Sequence, residues 1–153
     1  MIEIFVDADA CPVKEEIYRV AGRYALNVVL VANSRIAYPA GAGVEMVVVP
    51  EGPDLADDWI AAHVRPSDVV VTADIPLAAR CLEAGARAVS PHGREFTRDA
   101  IGGALAAREL NSELRESGVL SGGPPPIASR DRSRFLSCLD QLVQKGLSAG
   151  TRS

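Results

Sequence analysis

The chain has little with which to stack, crosslink or span. Aromatic residues make up 5% of its 153 residues, too few to offer the aromatic platforms on which single-stranded nucleic acids stack tightly. There are three cysteines, Cys11, Cys81 and Cys138. Their odd number and wide spacing argue against a disulfide framework or a zinc cluster and for reduced thiols. No apolar run approaches the ~18–20 residues of a membrane span. The start of the chain shows neither a basic segment nor a small-residue cleavage site, so no signal peptide and a cytoplasmic location are expected.

What is present is an ordinary soluble composition, 48% hydrophobic and 24% charged. The length suits one domain that buries roughly two-thirds of its surface. The net charge of −4 is unevenly spread: residues 1–79 hold 5 Lys and Arg against 12 Asp and Glu, and residues 80–153 hold 11 against 8. An acidic first half suits cations, and an arginine-rich second half suits phosphates, which guanidinium matches bidentately. Solvated helix faces produce the same asymmetry, so charge alone does not decide for nucleic acid.

The run Ile2-Glu3-Ile4-Phe5-Val6 reads as a nearly buried strand that stops at Asp7 and Asp9. If the backbone stays extended through Ala8, the two carboxylates point to the same side. Like charges so placed are costly unless a hard cation such as Mg²⁺ takes their oxygens. The competing reading has Asp9 capping the next helix and Asp7 solvated. Pro12 suits the first position of that helix, and Val13, Ile17, Val20, Ala21 and Tyr24 follow at helical spacing. Cys11 beside its start reads as a small buried residue ahead of a reactive thiol.

Further strands are expected at 28–32, 46–49, 69–72 and 87–89. Gly41-Ala42-Gly43 leads into no helix and is no phosphate-binding fingerprint. Asp54, Asp57 and Asp58 share one face at the start of a helix from Leu55 to Val64, either as anions favoured by the helix dipole or as a second metal-facing cluster. Asp74 ends the fourth strand, ahead of a helix over 77–84. Residues 90–96 read as a loop, with His92 a surface residue, leading to Thr97 as N-cap of a long helix from Arg98 to about Ser117 with Asp99 in its first turn. Residues 121–126, Ser-Gly-Gly-Pro-Pro-Pro, read as a stiff linker. Arg130, Arg132 and Arg134 come next, then an amphipathic helix carrying Phe135, Leu136, Leu139, Leu142 and Val143. Residues 1–120 are thus the core, 121–146 a linker and helix packed on the same domain, and 147–153 a flexible tail.

Strands alternating with helices predict an α/β three-layer sandwich with a mainly parallel sheet. Ligands of such sheets bind beyond the carboxyl ends of the strands, where strand order reverses. Asp7, Asp9 and Asp74 all fall at such ends.

Five blocks, Asp7 to Lys14, Gly52 to Ile60, Thr72 to Ala79, Pro91 to Thr97, and Ser121 to Pro126 with Asp131-Arg132, closely resemble the YaiI/YqxD family of uncharacterised bacterial proteins, over about residues 2–145. The resemblance implies a PIN-like domain, a group typified by Mg²⁺- or Mn²⁺-dependent nucleases with strand order 3-2-1-4-5, which would set the first and fourth strands side by side. It implies metal-site roles for Asp7, Asp74 and the Asp54/Asp57/Asp58 helix start, and extends to Asp9 and Asp99. The chain departs from the PIN pattern in having aspartates where a Glu is common at the middle site.

The expected activity is divalent-metal-dependent phosphodiester hydrolysis. Asp7, Asp57, Asp58 and Asp74 would be catalytic, and Asp7, Asp9, Asp54, Asp58, Asp74 and Asp99 would supply metal oxygens. Asn33, Ser34, Arg94, Arg130 and Arg132 would bind substrate. The expected partner is nucleic acid, RNA ahead of DNA, with no membrane and a homodimer left open. Two alternatives compete: a haloacid-dehalogenase-type phosphatase with Asp7 as nucleophile and Asp9 as acid, and a non-catalytic PIN-like module that binds metal or nucleic acid.

Overall fold

The computed structural model describes residues 2–39, 43–52, 54–102 and 127–150. Strand β1 (Glu3–Asp7) passes through a 3-10 turn (Ala8–Ala10) into helix α1 (Lys14–Tyr24). There follow β2 (Asn27–Ala32), β3 (Val44–Val48), α2 (Leu55–His63), β4 (Val69–Val71), α3 (Ile75–Glu83), β5 (Arg87–Val89) and β6 (Glu95–Phe96). Of helix α4, residues 98–102 are described, and α5 (Ser129–Gly150) completes the chain. The rest of the long helix expected from Arg98, the linker at 121–126 and residues 151–153 lie outside the described residues.

The sheet order is β3-β2-β1-β4-β5-β6. All neighbours are parallel except β5 and β6, so β1 lies beside β4 as the resemblance implies. The additional strand β6 corrects the reading of residues 90–96 as loop. Gly93, at φ +87, supplies a turn conformation that side chains disfavour, and Ser90 N donates to Arg94 O at 2.9 Å to close a hairpin.

Alternation along the strands builds two cores. Ile4, Val6, Val28, Leu30, Val69 and Val71 face one side, with Ile17 and Val20 of α1 and Phe135, Leu139, Leu142 and Val143 of α5. Phe5, Val29, Val31 and Val70 face the other, with Ala56 and Ile60 of α2 and Leu77 and Cys81 of α3. Burial on both faces is why the central strands read as unbroken apolar runs. Each large side chain so buried contributes roughly 1.5–3 kcal/mol, which makes α5 a structural layer of the sandwich.

Helix α5 starts early enough to include Arg130, Arg132 and Arg134, and it continues to Gly150, beyond the end expected at Gly146. Gly146 is a close-approach residue: a Cβ there would lie 2.7 Å from Ser67 O. The following Leu147 packs against the core, so the helix has reason to continue. Among the described residues no helix is long and apolar enough to cross a membrane.

At the amino end of the strands, Asp68 is 1% exposed. Its Oδ1 accepts from Glu3 N and its Oδ2 from Arg65 N, both at 2.9 Å.

Candidate active site

The carboxyl ends of β1 and β4 meet where strand order reverses. Asp7 is the last residue of β1, and its Oδ2 accepts from Thr72 Oγ1 at 3.0 Å. That hydroxyl oxygen accepts from Asp74 N at 3.0 Å, and Asp74 Oδ1 accepts from Leu77 N at 2.9 Å, capping α3. One relay through the buried Thr72 therefore fixes both carboxylates, and the hydrogen bonds described use one oxygen of each.

Asp57 joins them from the first turn of α2. Burial pushes its carboxyl up to about 6, the charges of Asp74, Asp7 and Asp54 add to the rise, and Arg80 opposes it. Asp7 is raised as well, by burial first; the Thr72 hydrogen bond opposes, and Asp74 and Asp9 add. Asp54, Asp57, Asp58, Asp74, Pro76, Leu77 and Arg80 line a cleft of about 420 Å³ between α2 and α3.

Several residues read as ligands are used otherwise. The 3-10 turn breaks the extended path through Ala8, so Asp9 does not share the direction of Asp7. Its oxygens accept from Asn33 N at 3.0 and 3.2 Å, over the end of β2. Because that turn takes residues 8–10, α1 begins at Lys14, after Pro12. Asp54 stands at the N-cap of α2 but in a left-handed conformation, φ 63, with no side-chain cap bond. Asp58 Oδ1 accepts from Arg80 Nη1 at 2.8 Å.

Asp99 is not brought to Asp7. The antiparallel β6 carries the chain back down the sheet, and Arg98 Nη2 donates to Leu82 O at 2.9 Å, placing the start of α4 by the C-terminal end of α3. Consistent with this dispersal, the described residues contain no group of three His, Cys, Asp or Glu side chains ready to hold a metal ion. The six-carboxylate ligand set read from the sequence is therefore not assembled. Asp7 and Asp74, joined through Thr72, remain together, and Asp57 is near enough to feel their charges.

On the substrate side, Asn33 serves the fold: its N–H holds Asp9, and its Nδ2 donates to Pro50 O at 3.1 Å. Ser34 is exposed, and neither lines the cleft. Arg132 is consumed by α1, where Nη1 donates to Pro12 O at 2.9 Å and reaches Glu16 Oε1 at 3.4 Å. Arg94 and Arg130 are exposed. Cys11 is buried and its thiol raised, chiefly by burial, which fits a packing role. Sequence reading missed Arg80; its position four residues after Pro76, on the same face of α3, was the available signal.

The chain matches the family model described as "Uncharacterized BCR, YaiI/YqxD family" over residues 5–145. It is 59% identical over 148 residues to the UPF0178 protein BSUIS_A1819 of Brucella suis, covering 96% of this chain and 92% of that one. It is 54% identical over 149 residues to UPF0178 proteins of Azorhizobium caulinodans, covering 97% of this chain and 94% of the relative, and of Caulobacter vibrioides, covering 97% of each. No solved structure matches the chain. A match that runs from the middle of β1 into α5, and so spans every element that places Asp7, Asp57 and Asp74, establishes that this chain belongs to the YaiI/YqxD family.

Proposed function

We propose that this protein is a divalent-metal-dependent phosphodiesterase, a PIN-like nuclease acting on RNA in preference to DNA. The observation that carries the reading is the pair Asp7 and Asp74, tied through Thr72 at the reversal of strand order, with Asp57 of α2 near enough to feel both charges. The donors are all oxygens, which suits Mg²⁺ or Mn²⁺ ahead of softer metals. Mg²⁺ keeps several of its waters, so two or three carboxylates suffice without a closed cage. A divalent cation held there supplies charge neutralisation and water activation for phosphodiester hydrolysis.

The chain's own contribution is placement. Thr72 fixes the direction of Asp7, and the α3 cap fixes Asp74, so both stand ready before a ligand arrives. Asp57 and Asp74 line one cleft, and Arg80 offers that cleft's guanidinium to a phosphate oxygen. The phosphatase alternative needs Asp9 as an acid near Asp7, but that carboxylate is held by Asn33 N, and the 3-10 turn leaves no flap.

The test is Mn²⁺ binding by calorimetry, with cleavage of a mixed RNA and DNA panel, on the native protein and on Asp7→Asn and Asp74→Asn. Asn keeps the cap at position 74, which isolates the charge. The expected result is metal-dependent cleavage that each substitution lowers by more than ~100-fold, a loss that removing groups one step further from a metal already reaches. Metal binding without turnover would favour the non-catalytic module, and no metal binding would overturn the mechanism.

A further inference from the structure

We infer that Arg94, Arg130 and Arg134 form a landing surface for the sugar-phosphate backbone of single-stranded RNA, at the carboxyl end of the sheet on the side that α5 covers. The identity of the anion rests on the nuclease reading above. The geometry begins at Gly93. A Cβ on this residue would come 2.5 Å from Phe135 N and 2.8 Å from Arg134 Cγ, so the β5–β6 hairpin is seated against α5 at Arg134. Arg94 follows in the chain. Arg130 precedes Arg134 by four residues and so lies on the same face of α5, one turn away.

All three side chains are exposed. The ion pairs among the described residues are made by other arginines, Arg23, Arg65, Arg80 and Arg132. The fold therefore places two like charges one turn apart in the first turns of a helix, where both their mutual repulsion and the helix dipole oppose them. Asp131, half-buried, is the acid of that first turn. Arg132 lies roughly 160° round the helix from its two neighbours, tied to Pro12 O and Glu16, and that anchor directs Arg130 and Arg134 away from α1. A bound polyanion would relieve the repulsion between Arg130 and Arg134.

The surface is also at the right level. Val71 pairs with Val89, and Thr72 N donates to Val89 O at 3.1 Å, so the hairpin starts level with Thr72 and Asp7. From Asp7 to β5 is two inter-strand spacings, ~10 Å, or roughly three steps of a stacked strand at ~3.4 Å each. The arginines lie on the α5 side of the sheet and the cleft on the α2–α3 side, so a strand that crosses the carboxyl edge of the sheet runs from the one toward the other. With few aromatic side chains available, the contact is electrostatic and insensitive to base sequence.

The experiment measures fluorescence anisotropy of a short 5′-labelled oligo-uridine in EDTA, across a salt series. It compares the native protein, the triple variant Arg94→Ala, Arg130→Ala, Arg134→Ala, and a control, Arg65→Ala, at the opposite end of the sheet. The triple variant should bind at least ~10-fold more weakly at low salt, and its slope of log affinity against log salt should fall by about 2, three contacts at ~0.7 each. The control should match the native protein. Native affinity and slope in the triple variant, or no RNA binding by the native protein at low salt, would overturn the surface. Metal-dependent cleavage with an unchanged KM in the triple variant would overturn the surface alone. Arginine-dependent RNA binding without any metal-dependent cleavage would support the surface and sink the nuclease reading.

Discussion

Asp68 and Asp7 stand at opposite ends of two neighbouring strands, and the more deeply buried of them is the structural one. Asp68 is almost inaccessible, yet each of its oxygens meets a backbone N–H, one from Glu3 and one from Arg65. It ties the start of β1 to the turn before β4. Asp7 is less buried, receives one hydroxyl, and has Asp74 and Asp9 as charged neighbours, with Asp57 feeling its charge in turn. A carboxylate whose oxygens each meet a donor holds a fold together; one ringed by other carboxylates strains it. The partners, more than the depth, separate the two roles.

The largest effect should come from breaking the satisfied end. Asp68→Ala leaves two part-buried N–H groups, those of Glu3 and Arg65, without their acceptor, each costing about 1 kcal/mol, and should lower unfolding free energy in urea by about 2 kcal/mol. Asp7→Asn should change it by less than ~1 kcal/mol in either direction, because the amide keeps an acceptor for Thr72 while shedding the repulsion. Equal losses in the two variants would erase the distinction drawn between the ends of the sheet.

A smaller, pH-dependent effect sharpens the contrast. The folded carboxyl of Asp57 is raised from 3.8 to about 6, so between these values the folded state binds more protons than the unfolded one. Stability contributed by this group is therefore lost as pH rises through that window, and the penalty is fully present above it. A dry site would make that penalty about 3 kcal/mol, which solvent screening of the half-exposed Asp57 reduces to about 1 kcal/mol. Asp57→Asn should unfold like the native protein near pH 4 and be about 1 kcal/mol more stable at pH 8, or ~2–4 °C in Tm. Saturating Mn²⁺ should narrow the gap by favouring the native carboxylates. A gain at pH 4 that vanishes at pH 8 would contradict the assigned strain.

Much of this was legible because periodicity and strand-end chemistry are local. The apolar runs ending at Asp7 and Thr72 announced the parallel strands, and the family resemblance supplied the order that puts β1 beside β4. What escaped was set by backbone turns that composition does not encode. The 3-10 turn at Ala8 sends Asp9 to Asn33, and the hairpin at Gly93 turns the chain away from the site and takes Asp99 with it. Side-chain partners over long sequence separations escaped for a different reason: nothing near Arg132 in the sequence shows that Pro12 O and Glu16 will claim it.

Arg80 offers the smallest stability effect and the clearest separation of stability from function. Its pair with Asp58 is 2.8 Å long, but the two side chains are 47% and 58% exposed, a setting in which ion pairs contribute 0–1 kcal/mol. Arg80→Ala should therefore shift unfolding by no more than ~0.5 kcal/mol. In the cleft the same guanidinium faces Asp57, Asp58 and Asp74, and under the proposed function a phosphate oxygen would displace Asp58 from it. A charge-assisted hydrogen bond of about 1.5 kcal/mol then translates into a roughly 10-fold rise in KM for RNA cleavage, with kcat nearly unchanged if the contact is made equally in the ground and transition states. Arg80→Lys should recover part of the loss, since the ammonium keeps the charge without the fork geometry. A variant that unfolds like the native protein yet binds substrate poorly would place Arg80 with the Asp7 end of the sheet, where groups are kept for a ligand. A large loss of stability would instead give the Asp58 pair the fold-holding role seen at Asp68.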